Sequence, residues 1–387
     1  RGCGHQDLKH ILSLGDQAIQ GSFVYPDKPH PPKRRLPANI LICDAKTGGC
    51  GLVQNSLSIS ADILYSNYGY RSSISQTMRD HLGGIVKDAL AFFNRHDIVV
   101  RDVLDIAAND LYTLKQYPKD INLIGIDPCD IIREVDNNGI RIINECFPSK
   151  SLYNGVKFDI ISSIACFYDI DDPLDFIVNV EKLLKNNGIW IVEFAYLPLV
   201  LERKAYDGMC AEHVTLYSLA SFENILSKTG LKVFRAEVND TNGGALQCWI
   251  CQKDNRFFGD QTDRDNLLRI RINEYDLCLD DIQTYYDFAK KVENHKEDLI
   301  RTLVKINAQG KKIHIYGMST KMNTILQYCN IGPDIIDCAA ERSKEKIGAK
   351  TIGGIPMVSE EESRSLKPDY YLVGPYHFKK EILEREK

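Results

Sequence analysis

Residues 103–127 read VLDIAANDLYTLKQYPKDINLIGID and give the strongest indication of the fold. Two short apolar runs, 103–107 and 123–127, are separated by a polar segment that contains a proline. Apolar runs of this length, bounded by turn-forming residues, are typical of buried strands. Asp105 lies inside the first run and Asp127 ends the second. Acids at these points predict a ligand site at one edge of a sheet.

The same alternation continues on the C-terminal side of this stretch. Strands are predicted at 158–163 and 189–197, with a helix at 173–184 between them. The segment 233–251 is predicted to form an antiparallel edge hairpin that turns at residues 242–244. Together these elements predict an α/β fold with a parallel, doubly wound sheet. A carboxylate at the end of the second strand suits a ribose diol, a signal that nicotinamide-dinucleotide folds and S-adenosylmethionine folds share.

Residues 310–387 restart this pattern after a charged segment, 256–309, that is predicted to be a helical connector. Strands are predicted at 312–317, 334–337 and 369–373, and a helix is predicted to start near residue 320 and to end at Cys329. Ser319 and Lys321 lie at the start of that helix, where main-chain amides and the helix dipole favour an anion. This pattern predicts a small nucleotide-binding domain, with a plain capped helix as the alternative.

Length and charge exclude several classes of protein. A chain of 387 residues has room for two or three domains, and a net charge of -5 gives no general attraction for nucleic acid or anionic membranes. The longest nearly apolar run, 189–201, is too short to cross a bilayer and contains Glu193. The first ten residues contain no apolar signal core. We therefore expect a cytoplasmic protein, and we expect a monomer because its domains can bury one another.

Three cysteines in the first segment suggest a metal site. Cys3 and Cys50 are each followed by glycine, which lets main-chain amides turn toward a thiolate, and Cys43 lies between them in the sequence. A structural zinc site needs four ligands, so the fourth would be His5 or a residue before Arg1. The alternative is three unrelated thiols.

The stretch YDGMCAEHVTLYS, residues 206–218, has neither helical nor strand periodicity and follows a buried strand. Loops in this position carry the working residues of many α/β enzymes. His213 can act as a base near neutral pH, and the neighbouring Glu212 could fix its tautomer or hold its proton. The alternative is a surface Glu-His pair without a role. A second loop, 65–73, is aromatic and polar and could cover a site or pack as a linker.

Several motifs occur together and in a fixed order. They are LGDQ at 14–17 with Phe23, CGLVQ at 50–54, YGYRS at 68–72, Asn109-Asp110, GIDP at 125–128, FYD at 167–169 with Asp172-Pro173, Glu212-His213 with Tyr217-Ser218, Gly243-Gly244, and YGMSTKMNT at 316–324. In these motifs the chain resembles the S-adenosylmethionine-dependent C-methyltransferases that act on nucleotide-linked keto-deoxysugars. The resemblance covers nearly the whole chain.

The resemblance implies a zinc-binding module at 1–72, a methyltransferase domain at 73–255, the connector at 256–309 and a Rossmann-like sugar-nucleotide domain at 310–387. It implies S-adenosylmethionine as cofactor, a structural zinc ion and a nucleotide-linked sugar as substrate. The base would be His213, with Glu212 as its companion and Tyr70 as a substrate-side hydroxyl. The implied cofactor-binding residues are Asp105, Ala107, Asn109, Asp110, Asp127 and Pro128. The implied substrate-binding residues are Tyr68, Tyr217, Ser319, Lys321, Asn323 and Arg342.

The chain departs from the family at two places. Ala107 and Leu111 occupy positions where the family usually has glycine, and their side chains would narrow the pocket for the methionine part of the cofactor. The family commonly has a histidine where Ala211 stands. A catalytically silent sugar-nucleotide-binding relative is therefore the alternative. An oxidoreductase is disfavoured because the Gly-x-Gly-x-x-Gly pattern is absent, and an O-methyltransferase is disfavoured by the ordered motifs.

Overall fold

A computed structural model gives the fold of residues 1–32, 34–65, 71–153, 155–255, 258–376 and 379–386. The N-terminal part begins with strands β1 (Leu8–Gln17), β2 (Phe23–Val24), β3 (Leu36–Cys43) and β4 (Val53–Asn55), followed by the short helix α1 (Ala61–Tyr65). β3 pairs antiparallel with β1 on one side and with β4 on the other. The predicted loop residues 66–70, with Tyr68 and Tyr70, lie outside the described residues.

The central part alternates strands and helices. Its elements are α2 (Gln76–Arg95), β5 (Asp102–Ile106), β6 (Asn122–Ile126), α3 (Ile131–Glu134), β7 (Arg141–Ile143), β8 (Phe158–Ile164), α4 (Pro173–Leu183), β9 (Leu184–Ala195), α5 (Leu197–Arg203), β10 (Thr215–Leu216), α6 (Leu219–Leu226), β11 (Leu231–Asn239) and β12 (Ala245–Gln252). Seven of these strands form one sheet in the order β11-β12-β9-β8-β5-β6-β7. The strands from β9 to β7 are parallel, and β12 and β11 add the predicted antiparallel edge.

This sheet confirms the predicted fold class. Its strand order reverses between β5 and β8, so the switch point of a doubly wound sheet lies at their carboxyl ends. Both faces are covered, which explains why β9 is apolar along most of its length. Trp190 and Phe194 pack into the core on one face, whereas Ile189 and Ile191 pack into the core on the other.

The strand predicted from residue 189 begins earlier, at Leu184, because α4 ends one residue before it. Its pairing with β8 is irregular between Leu184 and Ile189. Gly188 lies in that irregular stretch, where a Cβ atom would lie 2.8 Å from the main-chain oxygen of Phe158. The close approach of the two strands therefore requires glycine there.

Two helices, α7 (Gln261–Asp276) and α8 (Ile282–Asn307), occupy the predicted connector. Beyond them lie β13 (Ile313–Tyr316), α9 (Thr320–Cys329), β14 (Cys338–Glu341), β15 (Lys350–Thr351), β16 (Met357–Ser359), α10 (Glu360–Ser365), β17 (Tyr370–Val373) and α11 (Lys379–Arg385). Four of the strands form a parallel sheet in the order β16-β14-β13-β17. No helix in the described ranges is both long and apolar enough to cross a membrane.

The strand predicted at 334–337 is wrong, because β14 begins only at Cys338. The amides of Ile335 and Ile336 both donate to the main-chain oxygen of Gly332, so these residues form a turn. Asp337 ends this turn, and its Oδ2 accepts from the amide of Ile313 at 3.0 Å. The two adjacent isoleucines, Ile335 and Ile336, led to the strand prediction, although only Ile336 is fully buried.

Two strand pairings connect distant parts of the chain. β10 pairs antiparallel with β4 and becomes the fourth strand of the N-terminal sheet. β2 pairs antiparallel with β15 of the C-terminal part. The N-terminal module therefore contacts both the segment that follows β9 and the C-terminal sheet.

Candidate active site

Three thiols of the N-terminal module lie together. The Sγ atoms of Cys3, Cys43 and Cys50 all lie within 4.8 Å of one another, and those of Cys3 and Cys43 are 3.4 Å apart. Main-chain amides point at two of them, from His5 to Cys3 Sγ and from Cys50 to Cys43 Sγ, each at 3.4 Å. The sequence prediction that these three cysteines meet is thus confirmed.

The chemistry of this thiol cluster fits a cation. Burial, together with the negative charge of a Cys43 thiolate, raises the pKa of Cys50 to about 12. Three thiolates would therefore coexist here only beside a compensating cation such as zinc. His5, predicted as a possible fourth ligand, instead places Nε2 at 3.2 Å from Thr47 Oγ1.

The predicted His213 lies in the loop between α5 and β10, residues 204–214, which we call the His213 loop. The N-terminal module holds this loop in place. Asn55 Nδ2 donates to the main-chain oxygens of Cys210 at 2.8 Å and His213 at 3.1 Å, and the Asn55 amide donates to Val214. The next residues of the chain, Thr215 and Leu216, form β10 and pair with β4. The loop is therefore supported by a sheet from another part of the chain.

The hydrogen bonds of His213 suit a general base. Its Nδ1 lies 2.7 Å from the main-chain oxygen of Gly208, which can only accept, so Nδ1 must carry the proton. Nε2 is then the acceptor nitrogen in the neutral ring. The ring packs edge-on against Tyr168, with centroids 4.5 Å apart. These contacts fix both the tautomer and the orientation of the imidazole.

Two acidic side chains, Glu212 and Asp169, lie close enough to His213 to interact with its charge. Burial raises the pKa of Glu212, and the nearby His213 and Lys346 counteract this rise. Burial also raises the pKa of Asp169 well above its ordinary value. Tyr65 donates its hydroxyl to Asp169 Oδ2 at 3.1 Å, whereas the buried Oδ1 has no hydrogen-bond partner among the described residues. Asp169 was not predicted as a site residue, although the sequence motif contains it.

Cys210 completes this group. The possible ligand atoms of Cys210, Glu212 and His213 also lie within 4.8 Å of one another. The thiol of Cys210 is fully buried, and burial together with the charge of Glu212 raises its pKa to about 12. The hydrogen bond from His213 Nδ1 to the Gly208 oxygen leaves Nε2 of this group free to act as a base beside the Glu212 carboxyl.

A second group of predicted residues lies at the carboxyl ends of β5 and β6. Asp127 Oδ2 accepts from the Asn109 amide at 2.8 Å, and Oδ1 accepts from the Cys129 amide at 2.7 Å. Burial raises the pKa of Asp127. The carboxylate thus connects the loops that follow the two strands, with Pro128 half-buried beside it. Its remaining lone pairs stay available for the hydroxyl groups of a ribose.

The loop after β5 keeps a backbone that favours glycine. Ala107, Asn109 and Leu111 have φ angles of 61°, 48° and 63°. Leu111 is fully buried in a hydrophobic cluster with Ala108 and Leu114, so its side chain fills the core. The expectation that Leu111 narrows the cofactor pocket is therefore wrong. Residues with side chains therefore hold positive φ angles at three positions of this loop.

Asp110, next in this loop, has an unsatisfied oxygen. Its Oδ2 accepts from the Ser73 amide at 3.0 Å, and the Asn109 side chain likewise accepts from the Ser72 amide at 3.0 Å. Asp110 Oδ1 is buried and has no hydrogen-bond partner among the described residues. A buried acceptor of this kind is suited to a cationic donor from a ligand.

Asp105, predicted to bind the cofactor, lies inside the sheet. Ser162, its neighbour on β8, donates to its Oδ1 at 2.5 Å. Asp105 is only 3% exposed, and burial raises its pKa to about 7. It therefore connects β5 to β8 inside the sheet, next to the carboxyl ends of these strands.

The residues predicted to contact the nucleotide lie around the start of α9. Ser319 caps this helix by accepting from the Met322 amide, and Lys321 Nζ donates to the main-chain oxygen of Asn242 at 2.9 Å. Asn323 is 1% exposed and donates to the main-chain oxygen of Gln20 at 2.7 Å. Arg342 is exposed and lies 3.8 Å from Glu381. Asn323 thus holds the N-terminal module, whereas the other three remain near solvent.

Two further residues, Tyr217 and Glu341, differ from the sequence prediction in where they lie or in having been missed. Tyr217 is fully buried among Phe167, Phe194 and Phe222, and its hydroxyl has no hydrogen-bond partner among the described residues. Its contact with substrate stays a prediction. Glu341, at the end of β14, accepts from the amides of Met318 at 3.1 Å and Ser343 at 3.0 Å. Asp127 makes the same kind of contact in the central sheet.

Comparison with known proteins assigns the parts of the chain. Residues 1–65 match the family model described as "Putative zinc binding domain", residues 78–236 match "Methyltransferase domain", and residues 240–387 match "C-methyltransferase C-terminal domain". The C-methyltransferase NovU of Streptomyces niveus is 24% identical over 397 residues, which cover 100% of this chain and 91% of NovU.

Two solved structures each match less than half of the chain. The plantazolicin methyltransferase BpumL, in complex with SAH, has a TM-score of 0.37 and 13% identity over 44% of this chain and 83% of its own. An S-adenosylmethionine-dependent methyltransferase from Clostridium acetobutylicum has a TM-score of 0.36 and 14% identity over 43% of this chain and 90% of its own.

The three family matches follow one another along nearly the whole chain, in the same order as in the sequence prediction. They agree with a relative that aligns from end to end. The parallel strands β5 to β9 lie within the methyltransferase match, whereas β12 of the antiparallel edge lies within the C-terminal match. The chain therefore belongs to the S-adenosylmethionine-dependent C-methyltransferases with an N-terminal zinc-binding module.

Proposed function

We propose that this protein methylates a nucleotide-linked keto-deoxysugar at the carbon next to its ketone, namely C-3 beside a 4-keto group. The observation that carries the proposal is the contact between His213 Nδ1 and the Gly208 main-chain oxygen, because it leaves Nε2 as a base. A hydrogen on a carbon next to a ketone can be removed by such a base, whereas other sugar C–H groups cannot. The name of the relative NovU, a C-methyltransferase, agrees with methylation at carbon.

In the proposed reaction, His213 Nε2 takes the proton from C-3 and the electron pair of that bond is delocalised onto the ketone oxygen. The carboxylate of Glu212 stabilises the imidazolium that forms. Hydrogen-bond donors must hold the negative charge on the oxygen, and the predicted Tyr70 is one of them. S-adenosylmethionine, when bound, supplies an electrophilic methyl group for the carbon. Much of the rate increase would come from alignment of the two reactants.

The cofactor fits the residues at the ends of β5 and β6. Asp127 would accept the ribose hydroxyl groups, beside Pro128 and the positive-φ loop at Ala107 and Asn109. The unsatisfied Oδ1 of Asp110 would accept from the ammonium group of the methionine part. Asp105 would support this edge from inside the sheet, where it is bound to Ser162.

The nucleotide would bind at the start of α9, where Ser319 and Lys321 lie near solvent. Lys321 now donates to the Asn242 oxygen in the β11–β12 hairpin, so a phosphate would replace a neutral acceptor with a charged one. Arg342 would add positive charge on the same side, and the predicted Tyr68 would contact the sugar. Glu341 would accept a hydroxyl of the nucleoside, as Asp127 would in the central sheet.

A structural zinc ion would be held by Cys3, Cys43 and Cys50. Its task would be to fix the end of β3 and the approach to β4, because Cys43 ends one strand and Cys50 precedes the other. The zinc would then support the His213 loop through Asn55 and would take no part in the proton transfer.

The test uses a panel of thymidine-, uridine-, guanosine- and cytidine-diphosphate 4-keto-6-deoxyglucose. With S-adenosylmethionine the wild type should add one methyl group at C-3. With S-adenosylhomocysteine in heavy water it should exchange the C-3 proton, which mass spectrometry detects. His213→Gln should lower both rates about 100-fold or more, since a general base contributes at least that much. His10→Gln, on an exposed residue of β1, is the control.

Full methyl transfer by His213→Gln would disprove the role of His213. Binding of the sugar nucleotides without any binding of S-adenosylhomocysteine, measured by calorimetry on the folded wild type, would instead favour the silent relative. Methylation on oxygen would disprove the proposed acceptor atom.

A further inference from the structure

Gly21, in the connector between β1 and β2, lies against the carboxylate of Glu212. We call this segment, residues 18–22, the connector, and it is distinct from the helical connector at 256–309. A Cβ atom at position 21 would lie 2.3 Å from Glu212 Oε1, which is far inside contact distance. Gly21 is not among the residues with positive φ, so its backbone would accept any side chain. A side chain at position 21 would therefore displace the carboxylate of Glu212, which is the flexible end of that side chain.

Gln20 fixes the same connector to the His213 loop. Its Oε1 accepts from the amide of Ala211 at 3.1 Å, one residue before Glu212. Its Nε2 donates to Gln17 Oε1 at 2.7 Å, and Gln17 Nε2 donates in turn to the Leu14 main-chain oxygen at 3.0 Å. Both glutamines are buried, so these bonds are shielded from water. The position of Gln20 thus depends on the N-terminal sheet.

The opposite side of the connector is held by α9. Asn323 Nδ2 donates to the main-chain oxygen of Gln20 at 2.7 Å. Gln327 adds a second fixation, since its Oε1 accepts from the Ala18 amide at 2.8 Å. The connector is therefore held between α9 and the His213 loop, which carries Glu212.

We propose that the connector is a positioning element for catalysis, in which Gly21 leaves room for the Glu212 carboxylate and Gln20 holds the main chain beside it. This inference rests on the proposed role of Glu212. It extends that role because the N-terminal module and α9 would then directly influence how the side chains of Glu212 and His213 are placed. A displacement of about 1 Å in such a pair is enough to reduce turnover strongly.

The test is a size-compensation experiment on methyl transfer, with the sugar nucleotide that the wild type accepts from the panel above. Gly21→Ala should lower kcat about 10- to 100-fold, with the KM of both substrates within about threefold of wild type. Gly83→Ala is the matched control, because nothing lies within 4 Å of a Cβ at that helical glycine. Glu212→Asp shortens the acid by one methylene, so Gly21→Ala/Glu212→Asp should have a higher kcat than Gly21→Ala alone.

Gln20→Met removes both hydrogen bonds at similar size and should also lower kcat without a matching change in KM. It keeps the inference testable if Gly21→Ala does not fold. Wild-type kcat in Gly21→Ala or in Gln20→Met would overturn the inference. So would a double variant that is no better than Gly21→Ala.

The proposed role of Glu212 is tested separately with Glu212→Gln. Wild-type activity in Glu212→Gln would remove the role of Glu212 itself, and the inference would fall with it. A strong loss in Glu212→Gln beside wild-type kcat in Gly21→Ala would overturn the inference alone.

Discussion

Asn55 donates its side-chain amide to the main-chain oxygen of His213 at 3.1 Å, across the boundary between the N-terminal module and the methyltransferase fold. The same amide donates to Cys210 at 2.8 Å. Asn55 is buried, so water cannot replace these bonds. The N-terminal module is therefore a structural support of the proposed active site.

This contact predicts the effect of Asn55→Leu. The substitution keeps the size of the side chain but removes the hydrogen bonds to the main-chain oxygens of Cys210 and His213, and among the described residues only that of Cys210 keeps another donor, the His213 amide. This loss should cost about 2 kcal/mol of the free energy of unfolding. The His213 loop should also become mobile, so kcat should fall about tenfold or more. Denaturant unfolding and methyl-transfer kinetics measure the two effects. Asn94→Leu, on an exposed position of α2, should change neither.

The thiol cluster predicts a second effect, at a distance from the chemistry. Cys43→Ser should lower the bound zinc to a small fraction of one equivalent, because a hydroxyl is a poor substitute for a thiolate ligand. Since Cys43 ends β3 and β3 pairs with β4, the loss should lower the melting temperature by about 5 °C or more and reduce activity.

Metal analysis by mass spectrometry, thermal unfolding and kinetics test this together. Cys278→Ser, on an exposed thiol after α7, is the matched control and should leave all three unchanged. A Cys43→Ser protein with full zinc content would refute the assignment of Cys43 as a ligand.

The central fold could be predicted from the sequence because its signals are local. The runs at β5, β6 and β8 are apolar and short. In the C-terminal part, α9 begins after Ser319 and ends at Cys329, as the sequence predicted. The strand predicted at 334–337 was wrong because two adjacent isoleucines have the same local signal in a turn as in a short strand. That error also hid Glu341, which was not recognised as the end of a strand.

The contacts between modules could not be predicted in the same way. Pairing of β10 with β4 involves only two residues on each strand, and no periodicity marks so short a pair. Asn55 and Gln20 are single amide side chains whose partners are main-chain atoms, so no complementary residue signals them. Tyr217 was predicted as a substrate contact from the family resemblance, and no local pattern showed that its ring packs among the phenylalanines of the core.

The loop after β5 predicts a stabilising substitution. Ala107 has a φ of 61°, a conformation that costs an alanine roughly 1–2 kcal/mol relative to glycine. Ala107→Gly should therefore raise the free energy of unfolding by about 0.5–1 kcal/mol, after the larger entropy of the unfolded chain is taken into account. It should not weaken binding of S-adenosylhomocysteine, measured by calorimetry.

The neighbouring alanine gives the control for this prediction. Ala108 is not among the residues with positive φ and is buried, so Ala108→Gly loses packing and gains no relief. It should lower the free energy of unfolding by about 1 kcal/mol. Equal effects of the two substitutions would show that the backbone of Ala107 is not strained.

Asp105 predicts how stability depends on pH. Burial raises its pKa from 3.8 to about 7 in the folded protein, so the folded state holds a proton that the unfolded chain releases. Its contribution to stability is fully present below pH 4 and is lost as the pH rises to 7. The loss should amount to on the order of 4 kcal/mol for this buried group. Denaturant unfolding between pH 4 and 8 measures it.

Asp105→Asn isolates this effect because the amide has the same shape and does not ionise, and its oxygen can still accept from Ser162. The variant should lose most of the decline between pH 4 and 7 and should be more stable than the wild type at pH 8. Asp120→Asn, on an exposed residue, should keep the decline of the wild type. If Asp105→Asn retained the full decline, another buried acid would be responsible, and Asp127, whose pKa burial also raises, would be the first to test.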